Sequence, residues 1–231
     1  MSSKDHWNSI NESNSAKSVS WYAAHLRASL RYVQRAAPRN HADIIDFGGG
    51  ESTLVDDLLS EGYVGVTVLD ISATALETTR RRVGPLAKYV TWKVADVLAT
   101  EFQTAAYDVW HDRAVFHFLT TAAQRQRYVA QLLKALKPGG FAIVGTFGPN
   151  GPDQCSGLPV SRYDAEQLHG TFGEPFQLVD SCIEVHETPW GAPQQFTYCV
   201  CRRLAQCRPT GMPHAVAAVN DAVRPGGREA P

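Results

Sequence analysis

The 231-residue sequence predicts an α/β domain in which a mostly parallel β-sheet is covered by helices on both faces. Along most of the chain, short apolar runs rich in β-branched residues alternate with segments of helical length. The exception is the last pair of apolar runs, 176–187 and 194–203, because only the sequence TPWGAP joins them. A parallel pair needs a crossover of roughly a dozen residues, so these two runs are predicted to form an antiparallel hairpin.

The individual elements follow from local patterns. Segment 18–37 has apolar residues near helical spacing and stops at Pro38, which predicts an N-terminal helix. Ser72 and Gly84 predict the start and the end of a helix over 72–84. The other predicted helices cover 52–62 and 121–137. The predicted strands cover 42–47, 64–71, 89–97, 106–116, 141–147, 176–187 and 194–203.

Composition and charge argue against several classes of protein. With 22 basic and 23 acidic residues the net charge is -1, which gives no broad attraction to nucleic acid or to an anionic membrane surface. The polar start has no signal-peptide pattern and no later run has about 18 apolar residues, so we expect a soluble, cytoplasmic protein. The 5 cysteines crowd into the last third of the chain, which favours reduced thiols over a disulfide framework.

The same composition predicts the domain organisation. Residues 1–17 are expected to form a polar N-terminal arm, and residues 18–203 a single domain with one core. Residues 204–231 are rich in Pro, Gly and Ala, which predicts a poorly ordered tail.

Three consecutive glycines directly follow the first predicted strand, in the sequence IIDFGGGESTLVDD. Glycines between a parallel strand and the next helix allow backbone to approach a ligand at the helix N-terminus. A dinucleotide fingerprint fits Gly48 and Gly50, but its third glycine is replaced by Thr53, which weakens the interpretation as a nicotinamide oxidoreductase. A P-loop fits less well than the dinucleotide fingerprint, because no Gly-Lys-Ser/Thr follows the glycines.

Acidic residues stand at the ends of neighbouring predicted strands. Asp70 ends the second strand, where a carboxylate can accept both hydroxyls of a ribose, although it could also be a simple helix cap. Asp96 ends the third strand, where it can meet an adenine amine while the Val97 backbone N–H faces a ring nitrogen. Acids at successive strand ends favour a nucleoside site.

The motifs hhDhGGGxS, VLDIS, ADV, YDVWHDRAVF and LLKALKPGGFAIV, in this order and spacing, resemble a class I S-adenosylmethionine-dependent methyltransferase, over about residues 18–203. The resemblance implies a three-layer, Rossmann-like fold. Its seven strands would follow the order 3-2-1-4-5-7-6, with strand seven antiparallel. The turn 137–140 before strand five is among the more specific marks, whereas Ser52 replaces the family's third glycine. The pattern as a whole is similar to an uncharacterised bacterial branch of this superfamily.

The resemblance also implies the cofactor S-adenosylmethionine and a set of residues that bind it. Trp21 lies in a segment that folds over the cofactor in related enzymes, where its ring can favour the sulfonium cation. A purely structural role for Trp21 in packing the helix is equally consistent with the sequence. The predicted cofactor-binding residues are Trp21, Asp46, Gly48, Gly50, Asp70, Ile71, Asp96 and Val97.

Three polar residues follow the fourth predicted strand, where the methyl acceptor usually lies in this family. His111 is the candidate general base, because imidazole titrates near neutral pH, or else a simple hydrogen-bond partner. Asp112 and Arg113 could bind a polar substrate group, or they could form a structural ion pair. His117 lies in an apolar setting that favours a core role.

A long, Gly- and Pro-rich connection covers residues 148–168 and predicts a substrate-recognition loop. The predicted substrate-binding residues are Tyr22, Cys155, Arg162 and Tyr163. Cys199 and Cys201 face the same side of one strand, and with Cys155 they could serve a metalloid, but no cysteine pair has zinc-type spacing. No metal is expected.

Several acceptors remain open. The stretch DRAVFHFL is loosely similar to thiopurine-type small-molecule S-methyltransferases, which favours a thiol or another metabolite. The sequence VSW at residues 19–21, together with the GGG loop, resembles bacterial-like relatives of protein lysine methyltransferases, which favours a protein lysine as the acceptor. A non-catalytic S-adenosylmethionine-binding module is a further alternative. The absence of an Asn-Pro-Pro-Tyr element argues against nucleic-acid bases.

Overall fold

The computed structural model describes residues 3–13 and 16–205, so the tail predicted over 204–231 lies almost wholly outside the described residues. The helices are α1 (Ser3–Ser13), α2 (Arg27–Ala36), α3 (Leu54–Ser60), α4 (Ala73–Val83), α5 (Ala122–Ala135) and α6 (Ala165–Phe172). The strands are β1 (Ile44–Phe47), β2 (Val66–Asp70), β3 (Val90–Val94), β4 (Tyr107–Arg113), β5 (Leu136–Phe147), β6 (Gln154–Cys155), β7 (Leu158–Pro159), β8 (Phe176–Glu187) and β9 (Pro193–Arg203). None of the described helices is long and apolar enough to cross a membrane.

Seven strands form one sheet in the order β3-β2-β1-β4-β5-β9-β8. Strands β1 to β5 pair in parallel, whereas β9 runs antiparallel to both β5 and β8. The predicted fold class, strand order and terminal hairpin are therefore confirmed. β1 and β4 are neighbours at the point where the strand order reverses, and ligands of open α/β sheets bind at the carboxyl ends of such strands.

The sheet buries apolar side chains on both faces because neighbouring residues of each strand point to opposite sides. On one face, Ile44 packs with Leu54 and Leu58 of α3, whereas on the other face Ile45 packs with Leu132 of α5 and Leu168 of α6. β1 is buried along its whole length. The central strands are thus held between two helical layers.

The helix predicted over 18–37 is wrong in its first half, because α2 begins only at Arg27. Carbonyl groups of the preceding segment bind side chains from elsewhere in the fold instead of helical amides. Arg113 Nη1 donates to the Trp21 carbonyl at 3.2 Å, and Thr53 Oγ1 donates to the Ala23 carbonyl at 2.9 Å. These tertiary hydrogen bonds hold residues 19–26 in an irregular path.

Two smaller differences concern the ends of elements. Residues 3–13, within the predicted arm 1–17, form α1, which packs against α4. β5 begins at Leu136 rather than at residue 141, and its pairing with β4 shifts register across the turn 137–140. The turn therefore interrupts a longer strand. Gly139 has φ +81 there, a conformation that suits glycine.

A buried polar cluster fixes the end of β4 against α5. Asp112 accepts hydrogen bonds from the Val115 and Phe116 backbone amides, at 3.0 and 3.3 Å. Its other oxygen accepts the Tyr128 hydroxyl at 2.7 Å, and that hydroxyl accepts the Trp110 indole N–H at 2.7 Å. Burial raises the pKa of Asp112 to about 6, although the hydrogen bonds from Tyr128 and the two amides oppose the shift.

Replacing Tyr128 by Phe should destabilise the fold by roughly 1 to 3 kcal/mol, because Asp112 and Trp110 both lose a buried hydrogen-bond partner. Denaturant unfolding of the purified variant measures this. The matched control is Tyr89→Phe, since Tyr89 is 49% exposed and should change stability by less than about 0.5 kcal/mol. Equal stability of the two variants would contradict this account of the cluster.

Candidate active site

A cleft opens at the carboxyl ends of β1, β2 and β4, and α1 contributes to its wall. A smaller cavity continues from it behind the glycine turn and adjoins the segment before α2. Sequence-predicted residues that line the main cleft are Trp21, Gly48, Asp70, Ile71, Asp96, Val97, Arg113 and Cys155. The fold therefore brings most of the predicted site to one place.

The glycine turn shapes the floor of the cleft. Gly48 has φ +63, and a Cβ atom at this position would collide with the Val115 side chain. A Cβ at Gly50 would lie 2.5 Å from the Ala75 Cβ. Arg82 of α4 donates to the carbonyls of Glu51 and Ser52 and pairs with Asp56, which holds the turn from its outer side. Only glycine fits at positions 48 and 50 without a shift of the neighbouring side chains.

Asp70 is held by the same turn. Its Oδ2 accepts the Gly50 amide at 3.0 Å, and its Oδ1 accepts the Ser72 amide at 2.7 Å. Burial raises the pKa of Asp70 to about 6, while these backbone hydrogen bonds act in the opposite direction. The Ser72 hydroxyl caps α4, as predicted, by accepting the Ala75 amide.

Asp96 lies further along the cleft, after β3. Its Oδ1 accepts the Leu98 amide at 2.8 Å, and the residue is exposed. Val97 beside it is buried and lines the cleft. Two carboxylates at neighbouring strand ends can thus accept hydrogen bonds from one elongated polar ligand.

The smaller cavity contains two further carboxylates. Asp46 Oδ2 and Glu51 Oε2 are buried and have no hydrogen-bond partner within residues 3–13 and 16–205. Both residues line this cavity. The pKa of Glu51 is raised, mainly because the carboxyl group is buried. Because buried acceptors without partners are unfavourable, the two oxygens mark a place where a ligand donor such as an ammonium group fits.

His111 is buried and lies in a chain of hydrogen bonds. Its Nδ1 lies 2.6 Å from Asp46 Oδ1, and its Nε2 lies 2.8 Å from the Ser29 hydroxyl. The Ser29 hydroxyl in turn lies 3.0 Å from the Tyr198 hydroxyl. Both ring nitrogens therefore have protein partners, and the ring borders the smaller cavity rather than the main cleft.

Asp112 and Arg113 point to opposite sides of β4, as adjacent strand residues do. The side chain of Asp112 is fully buried in the Tyr128 cluster and does not line the cleft. Arg113 lines both cavities, and its guanidinium lies 4.1 Å from the centre of the Phe196 ring. The ion pair considered for these two residues is not present in the described structure.

The four predicted substrate-binding residues separate into two groups. Cys155 lines the main cleft, and Tyr22 lines the smaller cavity. Arg162 donates to the Gly151 carbonyl at 3.2 Å, and Tyr163 packs against Phe116. Neither of these last two borders the two cavities, so their roles remain predictions without a contact to the site.

The cysteines within residues 16–205 do not assemble into one cluster. Cys199 and Cys201 lie side by side in the core, with their sulfur atoms 3.3 Å apart. They pack on one face of the sheet, whereas Cys155 packs with the core of the other face. Within the described ranges, no group of three or more His, Cys, Asp or Glu side chains could hold a metal ion.

Sequence reasoning did not identify Trp7, Phe118 and Glu51 as site residues. Trp7 of α1 contacts Trp21 and Phe118 edge to face, with ring centres 6.0 and 5.2 Å apart, and all three rings line the cleft. Hydrogen bonds from Ser72 to Asn8 and from Thr74 to Glu12 fix α1 over α4. The signal available in the sequence was a single tryptophan in an otherwise polar arm.

Comparison with known proteins agrees with this geometry. Residues 44–140 match the family described as methyltransferase domain. The EEF1A lysine methyltransferase 2 of Danio rerio is 26% identical over 156 residues, which cover 65% of this chain and 61% of that protein. The chain therefore spans less than two thirds of that relative.

Two solved structures have the same fold. One, described as "Conversion of a Disulfide Bond into a Thioacetal Group during Echinomycin Biosynthesis", has a TM-score of 0.70 and 19% identity, and the match covers 87% of this chain and 93% of that chain. The other is the 1,6-didemethyltoxoflavin-N1-methyltransferase of Burkholderia thailandensis with S-adenosylhomocysteine bound. It has a TM-score of 0.62 and 18% identity, with 89% of this chain and 92% of that chain covered. Residues 44–140 therefore resemble a methyltransferase domain, on the Rossmann-like fold that the chain shares with class I methyltransferases, and this likeness supports S-adenosylmethionine as the cofactor.

Proposed function

We propose that the protein transfers a methyl group from S-adenosylmethionine to a small-molecule nucleophile, a thiol or another metabolite, by in-line displacement. The observation that carries this proposal is the enclosure of the cleft by Trp7, Trp21 and Phe118. A concave cleft with apolar and aromatic walls and a few polar groups is typical of small-molecule sites. Holding the two reactants in line supplies much of the acceleration in such a reaction.

The residues on the nucleoside side fit the cofactor. Asp70 would accept the ribose hydroxyls, and Asp96 with the Val97 amide would hold the adenine. Ile71 lines the cleft between them. When bound, the cofactor supplies a methyl group activated by a sulfonium cation.

The unpartnered oxygens of the smaller cavity fit the other end of the cofactor. Asp46 Oδ2 and Glu51 Oε2 would accept hydrogen bonds from its ammonium group, which removes the penalty of two buried acceptors without partners. Gly48 borders both cavities, whereas Gly50 lies against Ala75 and Asp70. Trp21 would place its aromatic ring beside the sulfonium.

A protein lysine acceptor is the second candidate. It is favoured by the curated relatives, since the Danio rerio protein and its Homo sapiens counterpart are both described as EEF1A lysine methyltransferase 2. A non-catalytic S-adenosylmethionine-binding module is a third candidate. The destination of a labelled methyl group distinguishes these three candidates.

S-adenosylhomocysteine should bind more tightly as pH rises from about 5 to 7. Asp70 has a pKa raised to about 6, and its protonated form is a poorer acceptor for ribose hydroxyls, so affinity is lost as pH falls through that value. Glu51, with a raised pKa, acts in the same direction. Calorimetric titration at several pH values measures the effect.

The variant Asp70→Asn should bind S-adenosylhomocysteine roughly tenfold or more weakly at pH 7 and with less pH dependence, because the carboxylate is gone. Asp153→Asn is the control, since Asp153 is exposed. A pH profile that stays the same in Asp70→Asn would refute the ribose role.

The general-base role of His111 is tested by His111→Asn. The amide keeps a donor close to Asp46, so cofactor binding should be nearly retained. Because both nitrogens of His111 already have protein partners, we expect methyl transfer to fall less than about tenfold. A loss of about 10²–10⁴ in rate with unchanged S-adenosylhomocysteine affinity would instead identify His111 as the base.

The acceptor class is tested with methyl-labelled S-adenosylmethionine in a desalted lysate of the source cells, with and without its small-molecule fraction. We expect label in a soluble product only when the small molecules are added. Label in acid-precipitable protein would favour the lysine alternative. Binding of S-adenosylhomocysteine without any transfer would favour the non-catalytic module.

A further inference from the structure

Arg113 is a buried cation, and some of its N–H groups have no hydrogen-bond partner among the described residues. The residue is 9% exposed and lines the main cleft. Its Nη1 donates to the Trp21 carbonyl, but Nε and Nη2 have no partner in the described part of the chain. Desolvated guanidinium groups are paired in most proteins, and the planar fork matches a carboxylate or another anion.

The groups whose charges act on Arg113 do not neutralise it. Burial lowers the pKa of His117 to about 3 and lowers that of His186, and the charge of Arg113 adds to both shifts. Burial raises the pKa of Tyr198 to about 12 and raises that of the Cys155 thiol. Near neutral pH these four side chains are therefore uncharged, so none of them supplies a negative charge to the Arg113 guanidinium.

Two carboxylates of the main cleft stand on its other side. Asp70 and Asp96 follow β2 and β3, whereas Arg113 ends β4 on the far side of β1. The charges that shift the pKa of Glu51 are those of Arg82 and Asp70. Although Asp46 and Glu51 line the smaller cavity with Arg113, no described carboxylate forms an ion pair with it, so an anion that pairs with Arg113 would come from a ligand.

The groups near Arg113 that could take a proton from an acceptor already have other partners or keep their own proton. His111, which lines the smaller cavity together with Arg113, has protein partners at both ring nitrogens. His186 Nε2 lies 2.8 Å from the Ser20 carbonyl, and burial keeps the Cys155 thiol protonated by raising its pKa. The carboxylates of Asp46 and Glu51 are those assigned above to the cofactor ammonium. A nucleophile that must first lose a proton would therefore have no free general base among these described groups.

We infer that Arg113 makes the acceptor side of this cleft a site for a nucleophile that arrives as an anion, a thiolate or a carboxylate. The inference rests on the proposed methyl transfer and specifies its substrate class. The acceptor's lone pair forms the new bond to the methyl carbon, while the carbon–sulfur bond of the sulfonium breaks and its electron pair stays on sulfur. One negative and one positive charge disappear, and no proton moves.

The surroundings suit this reaction. Because charge is lost on the way to products, apolar walls such as Trp7, Trp21 and Phe118 favour the transition state over the separated ions. A lysine ammonium would instead be repelled by Arg113 and would need a base. The arrangement therefore favours an anionic small molecule over a lysine side chain.

The test measures binding of benzoate, benzyl alcohol and benzylammonium to the full chain saturated with S-adenosylhomocysteine, by calorimetry at pH 7.5. The three probes share a ring and differ in charge. We expect benzoate to bind best, and Arg113→Met to weaken benzoate binding by roughly tenfold to a hundredfold while leaving benzyl alcohol unchanged. Arg127→Met, which removes an exposed arginine of α5, is the matched control and should change none of the three.

Three results would overturn the inference. The first is that benzoate binds no better than benzyl alcohol, and the second is that benzylammonium binds best. The third is that Arg113→Met weakens the binding of S-adenosylhomocysteine as strongly as that of benzoate, which would assign Arg113 to the cofactor. If Arg113→Met does not fold, Arg113→Lys replaces it as the test variant. It keeps the charge without the planar guanidinium and should lose less benzoate affinity. The order in which the wild-type protein binds the three probes still tests the inference. If the wild-type protein binds no S-adenosylhomocysteine, the proposed function is wrong, which is a different outcome from failure of the inference about Arg113.

Discussion

The hydrogen bond between Asp46 and His111 connects the two strands at the centre of the site. Asp46 of β1 and His111 of β4 are register partners, so their side chains leave the sheet on the same face, and both are buried. The chain continues through Ser29 of α2 to Tyr198 of β9. One polar chain thus joins four elements, and leaving one of its buried members without a hydrogen-bond partner typically costs about 1 to 3 kcal/mol.

This constraint also orients the ligand-facing atoms. Oδ1 of Asp46 is fixed by His111, whereas the other oxygen, Oδ2, is buried without a partner among the described residues, and Asp46 lines the smaller cavity. The glycine turn starts directly after β1, and Asp70 accepts one of its amides. The geometry of the proposed cofactor site therefore depends on a histidine that does not line the main cleft.

Charge is divided across the cleft. Carboxylates stand at the ends of β1 and β2 and after β3, whereas Arg113 stands at the end of β4 beside uncharged aromatic and thiol side chains. A cation is attracted to the first side and an anion to the second. This separation suits the proposed reaction, in which a cationic methyl donor would meet a negatively charged acceptor.

The sequence by itself determined the alternation of elements, the terminal hairpin and the strand order, the last through resemblance to a family. Glycine position, strand-end acids and connection length are local features, so they suffice to place Gly48, Asp70 and Asp96 at one edge of the sheet. Only the tertiary structure decided the surroundings of His111, the place of α1 over the cleft, and the missing partners of Glu51 and Arg113 within the described residues. These depend on contacts between residues far apart in the chain and on burial, and neither leaves a periodic pattern in the sequence.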